Sequence, residues 1–241
     1  MVRKQDQKNG KKDRRVTKTL KEIYSSAHEL FFEKKFSEIT MEELAERANI
    51  SRATLYNHFK SKYEIYFTIG YERFQEVNEK ILLLKKAPGT AKDKILQLCE
   101  FLIVNISKNP LNTRIIYIFM RHKDFTLVNK IVDKDLQEEE TKEYLESPEI
   151  QIMIKYLGEI RKYEALWAEI IDNGISEDSI RTDLKSIQLT HYIFLIINGT
   201  LDQMLLKNYV LKKFELTNEI IAKQTMNVIK SILDGSEVLQ E

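Results

Sequence analysis

Between Ser51 and Lys62 the chain reads SRATLYNHFKSK, and its polar side chains are of the kinds that can reach a nucleic acid. Arg52 can fork onto the O6 and N7 atoms of guanine, and Asn57 can pair with the edge of adenine. Thr54, Tyr56, His58 and Lys62 can serve phosphate oxygens, which set the register of a protein on a duplex without reading its sequence. Lys62 also falls in the first turn of a following helix, where free backbone N–H groups favour an anion. A solvated helix face with a structural tyrosine would carry the same residue types, so spacing alone leaves both readings open. The first reading requires one short helix that turns its polar groups outward. Its outward positions are Arg52, Ala53, Thr54, Tyr56, Asn57, His58 and Lys60, while Leu55 and Phe59, four apart, form the inner edge.

Three neighbouring elements must hold that helix. Thr40 is a good helix cap, and Glu43, three residues on, can complete a capping box. The helix expected over 41–48 buries Leu44, Ala45 and Ala48. Asn49-Ile50 makes the turn, because Asn tolerates a left-handed backbone and Ile50 can plug the core. Ser51 caps the next helix, and Ser61 caps a long one running to about Lys86. Upstream, Leu20, Ile23, Tyr24, Ala27, Leu30 and Phe31 recur at three- and four-residue steps, which predicts a helix from Thr17. Phe36 and Ile39 should fold back over the same small core. Residues 1–16 show no apolar period and read as a flexible basic arm.

The rest of the chain is longer, more apolar and also helical in pattern. Helices are expected over 91–108, over 111–122 and 124–136 (one kinked or two), over 149–172 stopped by Asn173-Gly174, over 184–208 capped by Asp183, and from Thr217 or Asn218 to near Asp234-Gly235. The acidic stretch 137–146 reads as an exposed loop. With only 7 Gly and 3 Pro in 241 residues, few breakers interrupt these patterns, and an all-α protein is predicted.

Charge divides the chain. Residues 1–64 hold 15 Lys+Arg against 10 Asp+Glu, residues 65–241 hold 23 against 27, and residues 1–21 hold 9 against 2. A basic head beside a near-neutral body suits a polyanionic partner. The single cysteine, Cys99, rules out an intramolecular disulfide framework and fits a reducing compartment as a small buried hydrophobe. No secretory h-region is evident, and the longest apolar run falls far short of a membrane span, so the expectation is a cytoplasmic protein with no membrane partner. Enzyme chemistry finds no footing in the motifs. The glycines are all isolated, no Gly-x-Ser-x-Gly turn occurs, and Phe32 stands where a zinc-protease pattern begun at His28-Glu29 needs a second His. His122 and His191 have no metal-ligand spacing. No enzyme activity, metal or cofactor is expected.

One set of residues carries a resemblance. Ala27 and Phe31, Phe36 with Ile39-Thr40, Leu44-Ala45, Ala48, Ile50-Ser51 and the string Thr54-Leu55-Tyr56-Asn57-His58-Phe59-Lys60-Ser61-Lys62 make residues 16–65 similar to the N-terminal DNA-binding domain of TetR-family transcriptional regulators. Two departures stand out. Lys35 occupies a position where members often have Gly, and the basic arm is longer than the minimal family pattern. The resemblance implies a three-helix head with a helix-turn-helix at 17–62, placing Ser51 to His58 in the major groove and adding Thr40 to the phosphate contacts Tyr56, His58 and Lys62. It implies a helical ligand-binding and dimerisation domain over 63–241. Its dimer interface would lie on the last two long helices, where Phe194, Leu195, Asn198, Leu201, Ile221, Val228, Ile229 and Ile232 supply apolar surface. Gly199 would let helices approach closely. A small apolar or amphipathic ligand would sit among Tyr117, Phe119, His122, Tyr156, Tyr163 and Trp167. The function so implied is a repressor, bound as a homodimer to a palindromic double-stranded DNA operator and released by the ligand. A competing reading of the composition is a helical interaction protein whose basic N-terminus binds anionic membrane or another polyanion.

Overall fold

The computed structural model describes residues 2–108, 146–206, 211 and 213–235. Among these, eight helices occur: α1 (Val2–Glu33), α2 (Met41–Arg47), α3 (Arg52–His58), α4 (Lys62–Lys86), α5 (Ala91–Lys108), α6 (Pro148–Ser176), α7 (Ser186–Leu206) and α8 (Asn218–Leu233), with a 3-10 turn at Phe36–Glu38. The architecture is all-α, with the three-helix head first. The chain divides into two compact units, Met1–Tyr71 with Arg121–Tyr156 and Glu72–Met120 with Leu157–Glu241, so the division falls inside α4 and inside α6. The helices expected over 111–122 and 124–136, and nearly all of the acidic loop, lie outside the described residues.

In the first unit α1 packs on α2 and α2 on α3. Ile23, Ala27, Leu30 and Phe31 of α1 meet Leu44, Ala45, Leu55 and Phe59 in a core from which water is excluded. Phe36 and Ile39 close it, as their spacing predicts, at 4% and 1% exposure. Phe36 sits in a ring cluster with Phe31, Tyr63 and Tyr66 at centroid distances of 5.4, 4.8 and 5.1 Å. The tilted and edge-on geometries in that cluster are the favoured ones for aromatic pairs. The caps fall where the sequence puts them. Thr40 accepts from the Glu43 N–H (3.2 Å), Ser51 from Thr54 (3.1 Å) and Ser61 from Glu64 (3.1 Å). Asn49 takes the left-handed conformation at φ 53°, and the Ile50 N–H returns to the Ala45 carbonyl at 3.0 Å.

The second unit packs α8 on α5 and α7 on both. Its centre is aromatic. Tyr163 stacks on Phe194 at 5.2 Å, and Trp167 and Phe74 meet this pair edge-on. Cys99 is buried here, and burial pushes its thiol well above the ordinary range. Asn78, with 0% exposure, donates to the Glu159 backbone carbonyl (2.9 Å) and carboxylate (2.7 Å). These two bonds replace those the Asn78 amide N–H groups would make to water, while its Oδ1 is buried without a hydrogen-bond partner.

Three element boundaries differ from expectation. The backbone of α1 is helical from Val2, where an arm without structure is expected up to residue 16. Lys, Arg and Gln are good helix formers and no Pro interrupts them, so a stretch without an apolar period can still extend a helix that is anchored downstream. Next, α6 runs through Asn173-Gly174 to Ser176. Gly174 marks a close approach rather than a break, because a Cβ there would lie 2.5 Å from the Ile180 Cδ1. Lastly, α7 begins at Ser186, and its first turn is closed by Gln188, whose side chain accepts from the Lys185 N–H at 3.0 Å; Asp183 is not its cap.

Candidate nucleic-acid interface

Helix α3 is seven residues long, and Leu55 is its one buried residue. The others leave the head open to a partner: Ser51, Arg52, Ala53, Tyr56 and Asn57 are exposed, and Thr54 and His58 are half-buried. Seven residues cannot hold a helix in water by themselves. Both ends are therefore fixed, by the Ser51 cap and by the Phe59 N–H, which returns to the Leu55 carbonyl at 2.9 Å. The Ser51 and Thr54 hydroxyls also bond each other at 2.8 Å. Arg52 pairs with Glu42 at 3.5 Å while staying 69% exposed, so it is aimed outward without being buried in that pair. Thr40 is exposed at the head of α2.

Lys62 has an additional task. Its ammonium donates to the carbonyls of Phe36 (2.8 Å), Ile39 (2.8 Å) and Ser37 (3.3 Å), and it lies 4.9 Å over the Phe36 ring. All three N–H groups are thereby engaged on the turn that joins α1 to α2. Read as a phosphate donor from its place in the sequence, Lys62 is in this geometry a clamp that fixes the start of α4 to that turn. No spacing pattern announces such a contact, because carbonyl acceptors carry no side-chain signature.

Ion pairs between α1 and α2 brace the head as well. Arg47, at the end of α2, bonds Glu33 at 2.8 Å and Glu29 at 3.3 Å on α1, and Lys34 pairs with Glu43. The Arg47 guanidinium holds the Glu33 carboxyl below its usual range. Ser61 both caps α4 and donates to Glu149 at 2.6 Å, at the start of α6. Phe67 of α4 meets Tyr156 of α6 at 5.7 Å within the same unit. None of these braces is implied by periodicity. They depend on which turns come together in space.

The residues expected to line a ligand site are distributed differently. Tyr117, Phe119 and His122 lie outside the described residues. Tyr156 is buried in the first unit, and Tyr163 and Trp167 in the second, at 2%, 1% and 0% exposure. Two surface clefts of about 350 and 490 Å³ are lined by other, mostly polar residues, among them Lys85, Asn173 and Glu177 in one and Asp93, Arg181 and Asp234 in the other. Among the described residues no group of three metal-ligating side chains occurs.

The expected pairing surface divides by helical phase. Leu195 is 70% exposed and Val228 41%, and Ile187, Tyr192 and Ile220 stand open with them. Asn198, Ile221 and Ile232 are half-buried. Phe194, Leu201 and Ile229 correct the expectation. They are buried in the second unit's own core at 8%, 5% and 0%, because each stands on the inward arc of its helix. Gly199 is exposed, with nothing within 4 Å of an added Cβ, so its side of α7 is open to an approaching helix. Among the described residues no helix is long and apolar enough to cross a membrane.

Comparison with known proteins agrees with this geometry. Residues 23–69 match the model of the bacterial regulatory proteins of the tetR family. No curated protein matches at the sequence level. Solved structures share the fold along most of the chain. The MbdR regulator from Azoarcus sp. CIB is 17% identical, covering 90% of this chain and 98% of its own, with a TM-score of 0.61. FadR from Bacillus subtilis, solved with stearoyl-CoA, is 16% identical over 88% and 97%, with a TM-score of 0.58. NalD from Pseudomonas aeruginosa, the secondary repressor of the MexAB-OprM multidrug efflux pump, is 16% identical over 90% and 97%, with a TM-score of 0.61. The match places the head in the tetR family of bacterial regulatory proteins, and over the rest of the chain the likeness to these solved regulators is one of fold.

Proposed function

We propose that the protein is a repressor that binds a palindromic operator as a homodimer and leaves it when a small apolar or amphipathic molecule binds the body. The observation that carries the DNA reading is α3, a helix fixed at both ends whose exposed residues are Arg52, Ala53, Tyr56 and Asn57. In this reading residues 51–58 enter the major groove and Arg52 and Asn57 read bases. Thr40, Tyr56 and His58 hold phosphates, and the Lys62 clamp keeps the start of α4 in register with them. Two heads on one face of a duplex need recognition helices about 34–36 Å apart, or a multiple of that.

Pairing is supported by the open apolar residues on α7 and α8, led by Leu195 and Val228. Ligand release is supported by the stearoyl-CoA bound to a neighbour of the same fold. It is also supported by the Tyr163 hydroxyl and the Trp167 indole N–H, polar groups in a mostly apolar core that could anchor an amphipathic ligand. The ligand would favour a body conformation that shifts α4 and so spoils the spacing of the two heads. The domain reading follows: a head over 17–62 and a ligand-binding and dimerisation body over 63–241.

Selection of bound duplexes from a random pool tests this directly. The expected product is an inverted repeat. Arg52→Ala should flatten base preference at one position per half-site by about 1–3 kcal/mol while nonspecific affinity stays. Recovery of no enriched sequence would overturn the reading. Enrichment that no added fatty acyl compound or hydrophobic drug alters would leave operator binding but remove ligand release.

A further inference from the structure

Helix α1 is 32 residues long, whereas the tetR-family match begins only at residue 23. Its apolar anchoring ends early. Ile23 is 1% exposed and Tyr24 meets the Phe59 ring at 6.0 Å, but residues 16–18 are exposed, Val16 at 39%. Upstream of Val16 the helix continues to Val2, and at about 1.5 Å per residue it extends roughly 20 Å further.

The sequence of that extension has a phase. At about 100° per residue, all nine Lys and Arg of residues 1–21 fall within roughly one half of the helical circumference, which they share with Gln7 and Thr19, and Glu22 at its downstream end pairs with Lys18 at 3.7 Å. The two acidic residues of the stretch, Asp6 and Asp13, fall in the opposite half. There they share the side of Val2, Val16, Leu20 and Ile23, the side that becomes buried once the helix reaches the head. A solvated basic tail has no reason to keep its charges in register with the buried stripe of a helix ten residues downstream.

We infer that the N-terminal half of α1 is a second DNA-contacting element, a basic helical stave that binds the phosphates flanking the half-site read by α3. The inference rests on the operator-binding reading above. Charge complementarity and continuity with the head select duplex DNA as the occupant. The Tyr24–Phe59 contact places α1 beside the C-terminal cap of α3, and the stave is the N-terminal continuation of that same helix. An anionic membrane surface fits less well, because an interfacial helix needs bulky apolar anchors and the extension offers only Val2 and Val16. The stave adds affinity and footprint but no base reading, since lysine and arginine on phosphates carry no sequence information.

The test uses the full chain and a duplex carrying its selected site with long flanks. In one variant Lys8→Gln, Lys11→Gln, Arg15→Gln and Lys18→Gln neutralise the stripe. In a second, Lys8→Asn with Asn9→Lys and Lys12→Asp with Asp13→Lys keep the composition but move charges to the opposite half. Affinity is measured against salt and the footprint by hydroxyl-radical cleavage. Both variants should lower the magnitude of the log–log salt slope by about 0.9 for every phosphate no longer neutralised. Each should also draw in the outer edges of the footprint by a few base pairs and leave the selected sequence unchanged.

An unchanged slope and footprint in the neutralised variant would overturn the stave while leaving the operator reading intact, because Arg52→Ala would still relax preference. Weakened binding in the neutralised variant with full binding by the phase-swapped one would overturn the helical stripe in favour of unphased charge. Vesicles of phosphatidylglycerol and phosphatidylcholine that bind the wild type but not the neutralised variant, with DNA affinity unchanged, would transfer the element to membranes. A wild type that enriches no duplex at all would defeat the operator reading itself.

Discussion

Helices α3 and α7 face outward in opposite ways. The seven residues of α3 bury one side chain and expose groups rich in hydrogen-bonding capacity. The 21 residues of α7 bury Leu189, Ile193, Phe194, Ile197, Leu201 and Met204, and still expose Ile187, Tyr192 and Leu195. The short helix borrows its order from caps, from the core under Leu55 and from a clamp outside itself. The long one has more apolar surface than its own core uses. A polar partner can be met by a thin element held from behind, whereas an apolar partner is met by surplus surface. Substitutions in either region put that contrast at risk.

The largest effect is expected at Leu195→Glu. A charge at the centre of the open face of α7 should convert a dimer into a monomer by light scattering, with operator binding falling accordingly. Stability of the protomer should change by no more than about 0.5 kcal/mol, as for other exposed sites. A large drop in protomer stability would show that this face is internal and erase the contrast. Next, Phe59→Ala should cost about 3–5 kcal/mol, as for other buried aromatics cut to alanine. Amide exchange should accelerate in α2 and α3, while Trp167, the single tryptophan and part of the other unit, keeps its fluorescence.

A smaller effect is expected at Lys62→Met, which keeps the stem and deletes the ammonium. Removing charge-assisted bonds to three carbonyls should cost about 1–3 kcal/mol in head stability, read as faster exchange around residues 36–39. A purely external phosphate contact would leave that exchange unmoved. The smallest effect concerns pH. Because Arg47 holds the Glu33 carboxyl below its ordinary 4.5, the contribution of this exposed pair is fully present above that value. It is lost as pH falls through the lower folded value. Arg47→Met should remove this acid limb of the stability profile and leave the neutral region nearly flat.

What could be read from the sequence was local. Thr40, Ser51 and Ser61 cap because hydroxyl placement relative to a helix start is a matter of three residues. Asn49 turns because its backbone tolerance is intrinsic. The inner edge of α3 follows from a four-residue step. Nonlocal facts were hidden. Asn78 stands four residues from Phe74 on a buried stripe, the one available hint of a buried polar pair, but Glu159 is 81 positions away. Gly174 reads as a stop until Ile180 is seen packed against it. Phe194 and Leu195 are adjacent apolar residues, and only three-dimensional placement shows which of them belongs to the core. The α1 extension is hidden for another reason: its period lies in charge and not in apolar residues.

Burial of Cys99 has a practical outcome. The chain has one cysteine, its side chain is 0% exposed, and its thiol stays protonated at neutral pH. Peroxides and thiol-alkylating probes act on accessible thiolates, so Cys99 of the folded protein should resist both. The wild type is thus close to a cysteine-free background for spin or fluorophore labelling. A single new cysteine at exposed Lys60 would be labelled alone. The distance between the two labels in a dimer could then be followed as a candidate effector is added.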